Sequence, residues 1–150
     1  IGTPFFIENN VFFTEIPDEE LTEPVFLKNL CEKAGCGFLL DLHNVYVNSR
    51  NFNFDPKTFI DALDLSTVQE IHIAGGNEAG GTYLDSHSGD CPQEVWDLLD
   101  YVLPRCSQIR GVTFEVDESY IPDIGFDSVA RQLLKAREIW DKHKTQEHVA

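Results

Sequence analysis

Positive charge is scarce in this chain: 11 Lys+Arg stand against 26 Asp+Glu, a formal charge of −15. Nucleic acids and anionic membranes are bound mainly through cationic contacts to phosphate, so neither is expected as a partner. Long apolar runs are also missing. None approaches the ~18 residues that cross a bilayer, and no basic start precedes a short apolar segment. The expectation is a protein free of the membrane, with no targeting signal in this stretch. The chain opens on Ile rather than Met, in the middle of a strand-like run, which reads as a piece of a longer gene product. Cysteines number four (Cys31, Cys36, Cys91, Cys106), with no CxxC pair and no spacing of a zinc ribbon or finger. A reduced, cytoplasmic setting fits them best, although two disulfides are compatible with the count. No GxGxxG or GxxxxGK loop follows the first strand, which argues against a nucleotide-binding site.

What is present is enough apolar material for one ordinary domain: 150 residues, 42% hydrophobic, with eleven Phe. A chain of that length buries roughly 70% of its unfolded surface, and disorder, which needs low hydrophobicity, is excluded. Strand-like and helix-like runs alternate. PFFI (4–7) reads as a strand ending at Glu8-Asn9-Asn10. After Pro24, Phe26, Leu27, Leu30, Cys31 and Ala34 form one helical stripe that Gly35 can close. GFLLDL (37–42) is a buried strand. Asp55-Pro56 opens a helix to about Leu63. VQEIHIA (68–74) is a strand ended by Gly75-Gly76. Pro92 opens a helix with Val95, Leu98, Leu99, Val102 and Leu103 on one face. GVTFEV (111–116) is the last strand. Asp127 caps a final helix with Val129, Leu133, Ala136 and Trp140 along one side.

The order β-α-β-α-β-α-β-α, in units of roughly 35 to 40 residues, predicts an α/β fold with parallel strands covered by helices. Two architectures fit: a small doubly wound open sheet, or four βα units of a (βα)8 TIM-type barrel, which takes about 250 residues when whole. The domain division is 1–142 for the barrel half and 143–150 for a polar tail.

Chemistry gathers at the carboxyl ends of the strands, where parallel α/β folds build their sites. These ends carry Glu8, Asp41, His72 and Glu115. Each follows apolar residues, and buried carboxylates need compensation. With few Lys or Arg nearby in sequence, a metal cation supplies it economically. The acidic surface has a plainer reading, solubility, and any one of these acids could simply cap a helix; the four together favour a site. Direct ligation requires atoms about 2 Å from the ion, so Asp41, His72 and Glu115 should converge within ~5 Å of a common point. Asp85-Ser86-His87, in a Gly- and Ser-rich loop, forms a second candidate, since Asp and His two apart on an extended segment can clamp one ion. Asn44 could add a carbonyl oxygen. His43 shares the Asp41 face if strand alternation continues, and it and Asn9 are expected to line the pocket. His143 and His148 are read as solvent-exposed.

The segments FFIENN, GCGFLLDLHNVYVNSRNFNFDP, VQEIHIAG, the D-x-H at Asp85 and His87, and FEVD resemble the multinuclear non-haem iron-dependent oxidative enzymes. That family was long catalogued as a domain of unknown function and includes the oxygenase of methanobactin biosynthesis. The match runs from about Phe5 to Asp117, in order and in spacing. The resemblance implies a xylose-isomerase-like TIM barrel, related to the metal-dependent apurinic endonucleases. It implies that Glu8 bridges two metals, that Asp41, His72 and Glu115 complete one of these sites, and that Asn44, Asp85 and His87 hold a further ion. It also implies two or three irons of mixed valence that use O2 to oxidise cysteine in small ribosomally made peptides, often presented by a partner protein. Hard carboxylate and imidazole donors without thiolate suit iron or manganese, and would suit zinc. The family commonly has Asn where this chain has His43, and His where it has Gly76. The resemblance begins at about the fourth strand, so the two histidines that would complete the first iron are absent and two metals at most are fully liganded.

Two functional readings follow. One is an iron-dependent oxidase acting on a peptide cysteine; the other is an inactive half-barrel with a structural or regulatory role. A divalent-metal hydrolase or isomerase on the same scaffold is a weaker third, and the acidic surface argues against a DNA substrate. Four parallel strands cannot close a barrel that needs about eight. Two free edges and an inner face, expected to expose residues such as Leu40 and Ile73 or their neighbours, should then drive homodimerisation or pairing with the missing half.

Overall fold

The computed structural model describes residues 2–15, Pro17 and residues 20–144. Four parallel strands form the central sheet: β1 (Phe6–Glu8), β2 (Gly37–Asp41), β3 (Val68–Ala74) and β6 (Gly111–Glu115), in that spatial order. Between β3 and β6 the chain makes a short antiparallel hairpin, β4 (Asn77–Ala79) and β5 (Thr82–Leu84), outside the main sheet. The architecture is α/β with a parallel sheet, as expected, and is consistent with part of a TIM-like fold.

Helices α1 (Glu23–Ala34), α3 (Pro56–Asp61) and α4 (Gln93–Val102) stand where the apolar stripes and caps placed them, whereas α6 (Phe126–Lys144) starts one residue before Asp127, which lies in its first turn rather than at its cap. Gly35 closes α1 at φ 64 and returns its N–H to Cys31 O. Asp55 caps α3 by accepting from the Lys57 and Thr58 N–H groups. A short α5 (Ile121–Ile124) precedes α6.

Helix α2 (Leu42–Phe52) was not anticipated. Every residue from Leu42 to Ser49 is buried, so no polar face exists to reveal a 3.6-residue period. The helix lies against β3, α4 and β5. His43 therefore stands in the first turn of a helix, not on a continuing strand, and strand alternation does not apply to it.

Side chains divide cleanly between the two faces of the sheet. Ile7, Phe38, Leu40, Ile71, Ile73, Val112 and Phe114 join the core under the helices, with Trp96, Leu98 and Leu99 of α4 and Leu27 of α1. Leu40 and Ile73 are fully buried, which corrects the expectation that they face water. The opposite face presents Leu39, Glu70, His72 and Thr113, all half-buried and mostly polar. The inward stripe of α6 also differs. Its buried residues are Ser128, Gln132 and Ala136, while Leu133 is 52% exposed. Polar docking turns the helix: Ser128 bonds Asp90, and Gln132 accepts from the Cys91 N–H. Helix α6 continues through Lys144, so the start of the proposed polar tail is helical; residues 145–150 lie outside the described residues. All four cysteines are free thiols, and only Cys36 is not buried.

Candidate metal centre

Register brings the strand ends together. Asp41 pairs with His72 across β2 and β3, Ala74 pairs with Glu115 across β3 and β6, and Glu8 closes β1 beside them. One ligand atom from each of Glu8, Asp41, His72 and Glu115 lies within 4.8 Å of the others. Atoms bound to one ion at about 2 Å are at most ~4 Å apart, so a small inward movement would complete a coordination sphere.

Local bonds aim these donors. Asp41 is the N-cap of α2: Oδ1 accepts the Asn44 N–H at 2.7 Å, and Oδ2 is buried with no hydrogen bond. Asn9 holds the Asp41 backbone from both sides, its Nδ2 donating to Asp41 O and its Oδ1 accepting from Asp41 N, each at 2.9 Å. Asn9 is thus buried and clamps the Asp41 backbone. His72 Nε2 meets Glu70 Oε1 at 3.3 Å, and Glu70 Oε1 also accepts from Thr113 Oγ1 at 2.8 Å. That contact turns Nδ1 toward Glu115 Oε1 at 3.1 Å and Glu8 Oε1 at 3.9 Å. Sequence reasoning missed Glu70. Its signal was E-x-H on a strand, where residues two apart share a face and a carboxylate can orient a metal-binding imidazole.

Electrostatics record the crowding. Burial, with Asp85, Glu8 and Glu115 nearby, pushes the Asp41 carboxyl up to about 7 against the opposing pull of the Asn44 N–H. Glu8 is also raised, chiefly by burial. For His72 burial opposes the charge, but Glu115, Asp41 and Glu70 outweigh it and raise the imidazole to about 9. His72 in turn holds Glu115 below the usual carboxylate range. A cation at this point would offset carboxylates that a single imidazolium only partly neutralises.

Asp85 and His87 stand beside this group. The loop carrying them folds back on Gly75 and Gly76, with Ser88 N donating to Gly75 O at 2.9 Å. A Cβ on Gly75 would come within 2.6 Å of Ser88 O, and one on Gly76 within 2.3 Å of Leu84 O. Both glycines therefore permit a close backbone approach in addition to ending β3. His87 has φ 50, its backbone O accepts from Asp117 N, and its Nε2 lies 3.1 Å from Asp85 Oδ1 and 3.6 Å from Glu115 Oε2. Glu115 thus shows one oxygen to His72 and the other to His87. Asp85 is held below its usual range: burial raises it, but His43 and His87 outweigh that. Asn44 donates to Asn9 O at 3.0 Å and leaves Oδ1 buried and unbonded. His43 is fully buried, with Nδ1 2.8 Å from Asp85 Oδ1. His143 does not point freely to solvent, because its Nε2 meets Asp100 Oδ1 at 2.7 Å; His148 lies outside the described residues.

The donors fit a hard divalent cation. They are carboxylate oxygens and imidazole nitrogens, and Asp41 Oδ2 and Asn44 Oδ1 are buried polar atoms without hydrogen bonds. Such atoms are costly unless something meets them. Among the described residues no helix is long and apolar enough to cross a membrane.

Comparison with known proteins places the chain in a family. Residues 1–141 match the family described as RiPP precursor modification enzyme MbnB/TglH/ChrH. Similar curated proteins include a UPF0276 protein of Anaeromyxobacter sp., 34% identical over 125 residues, covering 83% of this chain and 44% of that protein. Another, from Psychromonas ingrahamii, is 41% identical over 125 residues, covering 79% of this chain and 43% of its own. A third, from Caulobacter vibrioides, is 29% identical over 137 residues and covers 91% of this chain and 48% of its own. The chain thus spans about half the length of the curated relatives it matches. With the match extending over nearly all of its residues, this chain belongs to the MbnB/TglH/ChrH family of RiPP precursor modification enzymes.

Proposed function

We propose that this chain is the metal-binding half of a TIM-type barrel enzyme, an iron-dependent oxidase that modifies cysteine in a ribosomally made peptide. The observation that carries the reading is the convergence of Glu8, Asp41, His72 and Glu115 within 4.8 Å, with Asp41 Oδ2 buried and unbonded and His72 Nδ1 turned into the cluster toward Glu115. Asp41, His72 and Glu115 would hold one ion, and Asn44, Asp85 and His87 a second. Glu115 would keep one oxygen toward each, and Glu8, 41% exposed at the β1 edge, would be shared between the first ion and a further one. The metals would supply O2 binding and a redox partner for the substrate thiolate. The chain's own part is to keep these donors on rigid strand ends while His72, His87 and Glu115 remain partly open to an approaching peptide.

The family's precursor-modifying role supports a peptide substrate, and a partner protein would present it. Self-pairing into a homodimer, or pairing with the remaining barrel half, and a cytoplasmic setting complete the proposal; a surface of charge −15 disfavours nucleic acid. The competing reading is an inactive half-barrel with a structural or regulatory role. Zinc or manganese on the same donors would instead serve a hydrolase or isomerase. Metal analysis of anaerobically purified protein separates these. Iron near two per chain, with an absorption change on adding O2, supports the oxidase; bound zinc inert to O2 supports the hydrolytic reading; absence of bound metal sinks both.

A further inference from the structure

His43 is placed as few core histidines are. It is 0% exposed, and its ring lies against Tyr46 and Tyr83 at centroid distances of 6.3 and 6.0 Å. Of its two nitrogens only Nδ1 has a partner, Asp85 Oδ1 at 2.8 Å; Nε2 is buried with no hydrogen bond. The Nε2 side is closed by Gly76, where a Cβ would stand 2.9 Å away. Helix α2 fixes the base of the ring, because Asp41 caps the helix one position before Leu42. Since an ionised carboxylate only accepts, Nδ1 carries the proton in this contact.

The neighbouring imidazole cannot take over this task. His87 Nε2 also faces Asp85 Oδ1, at 3.1 Å. A histidine that ligates a metal through Nε2 has no proton left there to donate. Once an ion sits between Asp85 and His87, the Asp85 contact with His87 becomes one between two ligands. Of the two imidazoles against Asp85 Oδ1, His43 alone then remains a donor.

We propose that His43 is a positioning residue for the ion held by Asp85 and His87: its Nδ1–H fixes the Asp85 carboxylate, and Gly76 leaves the room for the ring that does so. The proposal rests on the reading of Asp85 and His87 as ligands. Loss of an orienting partner behind a metal ligand typically lowers metal affinity 10–100-fold.

The test is anaerobic titration of the 150-residue chain with Fe2+, following each binding step by calorimetry, for the wild type, His43→Leu and His43→Asn. Asn can place an amide N–H where Nδ1 stood. His43→Leu should weaken the second ion by about 10–100-fold and leave the first, at Asp41, His72 and Glu115, unchanged. His43→Asn should recover most of the loss. Nitrogen-15 NMR of the wild type, which needs no variant to fold, should show His43 protonated at Nδ1 and bare at Nε2. Unchanged affinity in His43→Leu, a His43→Asn as weak as His43→Leu, or an Nε2-protonated ring each overturns the role of His43. A wild type that takes a single ion instead removes Asp85 and His87 as ligands, and the inference with them.

Discussion

The two oxygens of Asp41 have separate tasks. One caps α2 and the other is buried without a hydrogen bond, so protonation and metal binding would compete for the second. With its folded-state value raised from 3.8 to about 7, Asp41 takes up a proton on folding throughout that window. Its contribution to stability is present at the acid end and is lost as pH rises through 7. His72, raised from 6.5 to about 9, contributes fully below 6.5 and loses its contribution as pH rises through 9. The two signs agree. Metal-free protein should melt at a higher temperature near about pH 6 than near about pH 9, and Asp41→Asn should shrink the difference. A melting temperature independent of pH would contradict the origin given for both shifts. Metal affinity should run the other way and rise with pH, because the ligands must be deprotonated. His72→Ala should abolish binding at the first site while the far-ultraviolet circular dichroism stays that of the folded chain, since His72 lies on the half-buried polar face and not among the residues packed under the helices. Glu70→Gln should weaken the same ion by about 10–100-fold through loss of the carboxylate behind His72, measurable in the same titration.

At the scale of elements, α2 connects the fold to the site. Asn44 and Asn48, one turn apart, donate to Asn9 O and Asn10 O, and Asn48 Oδ1 accepts from Phe12 N at 2.9 Å. The segment after β1 is thereby tied to the helix that Asp41 caps, and Glu8 is held next to its partners. Asn48→Ala would leave the Asn10 carbonyl and the Phe12 N–H without these partners, at a cost of about 1–3 kcal/mol. The expected readout is a melting temperature lowered by roughly 2–4 °C per kcal/mol, with weaker metal binding at Glu8. Unchanged melting would mean that water replaces both bonds without loss.

For the whole molecule, the sheet ends among the described residues in two edges without a neighbouring strand, β1 and β6. Beside β1, Ile7, Leu21, Phe26 and Leu30 line a cavity of about 510 Å3; beside β6, Val112, Leu133 and Trp140 line another of about 440 Å3. Phe26 is 50% and Leu133 52% exposed, although the face carrying the candidate ligands is more polar than a barrel interior was expected to be. Unpaired edges flanked by apolar side chains recruit further strands. Light scattering at micromolar concentration should therefore give twice the 17.0 kDa chain mass. A well-folded monomer would show that Glu70, His72 and Thr113 keep the open face adequately solvated on their own.

The positions of the four strands of the main sheet, most helix starts and the ligand-type residues at the strand ends were legible in the sequence, because period-2 runs, caps and β-α alternation are local signals that chain neighbours carry; the β4–β5 hairpin, read as a loop, was not. Parallel pairing also followed, since the helical crossovers leave few other connections. Three things only tertiary structure decided. Helix α2 is invisible to periodicity because it is buried on every side. The inward side of α6 was set by Asp90 and Cys91 meeting Ser128 and Gln132, some forty residues away in sequence. The contacts of Asn9, His43 and Glu70 arise from partners that register and loop packing bring to them, and no spacing along one strand specifies which side chain stands behind a candidate ligand and which one faces the candidate site.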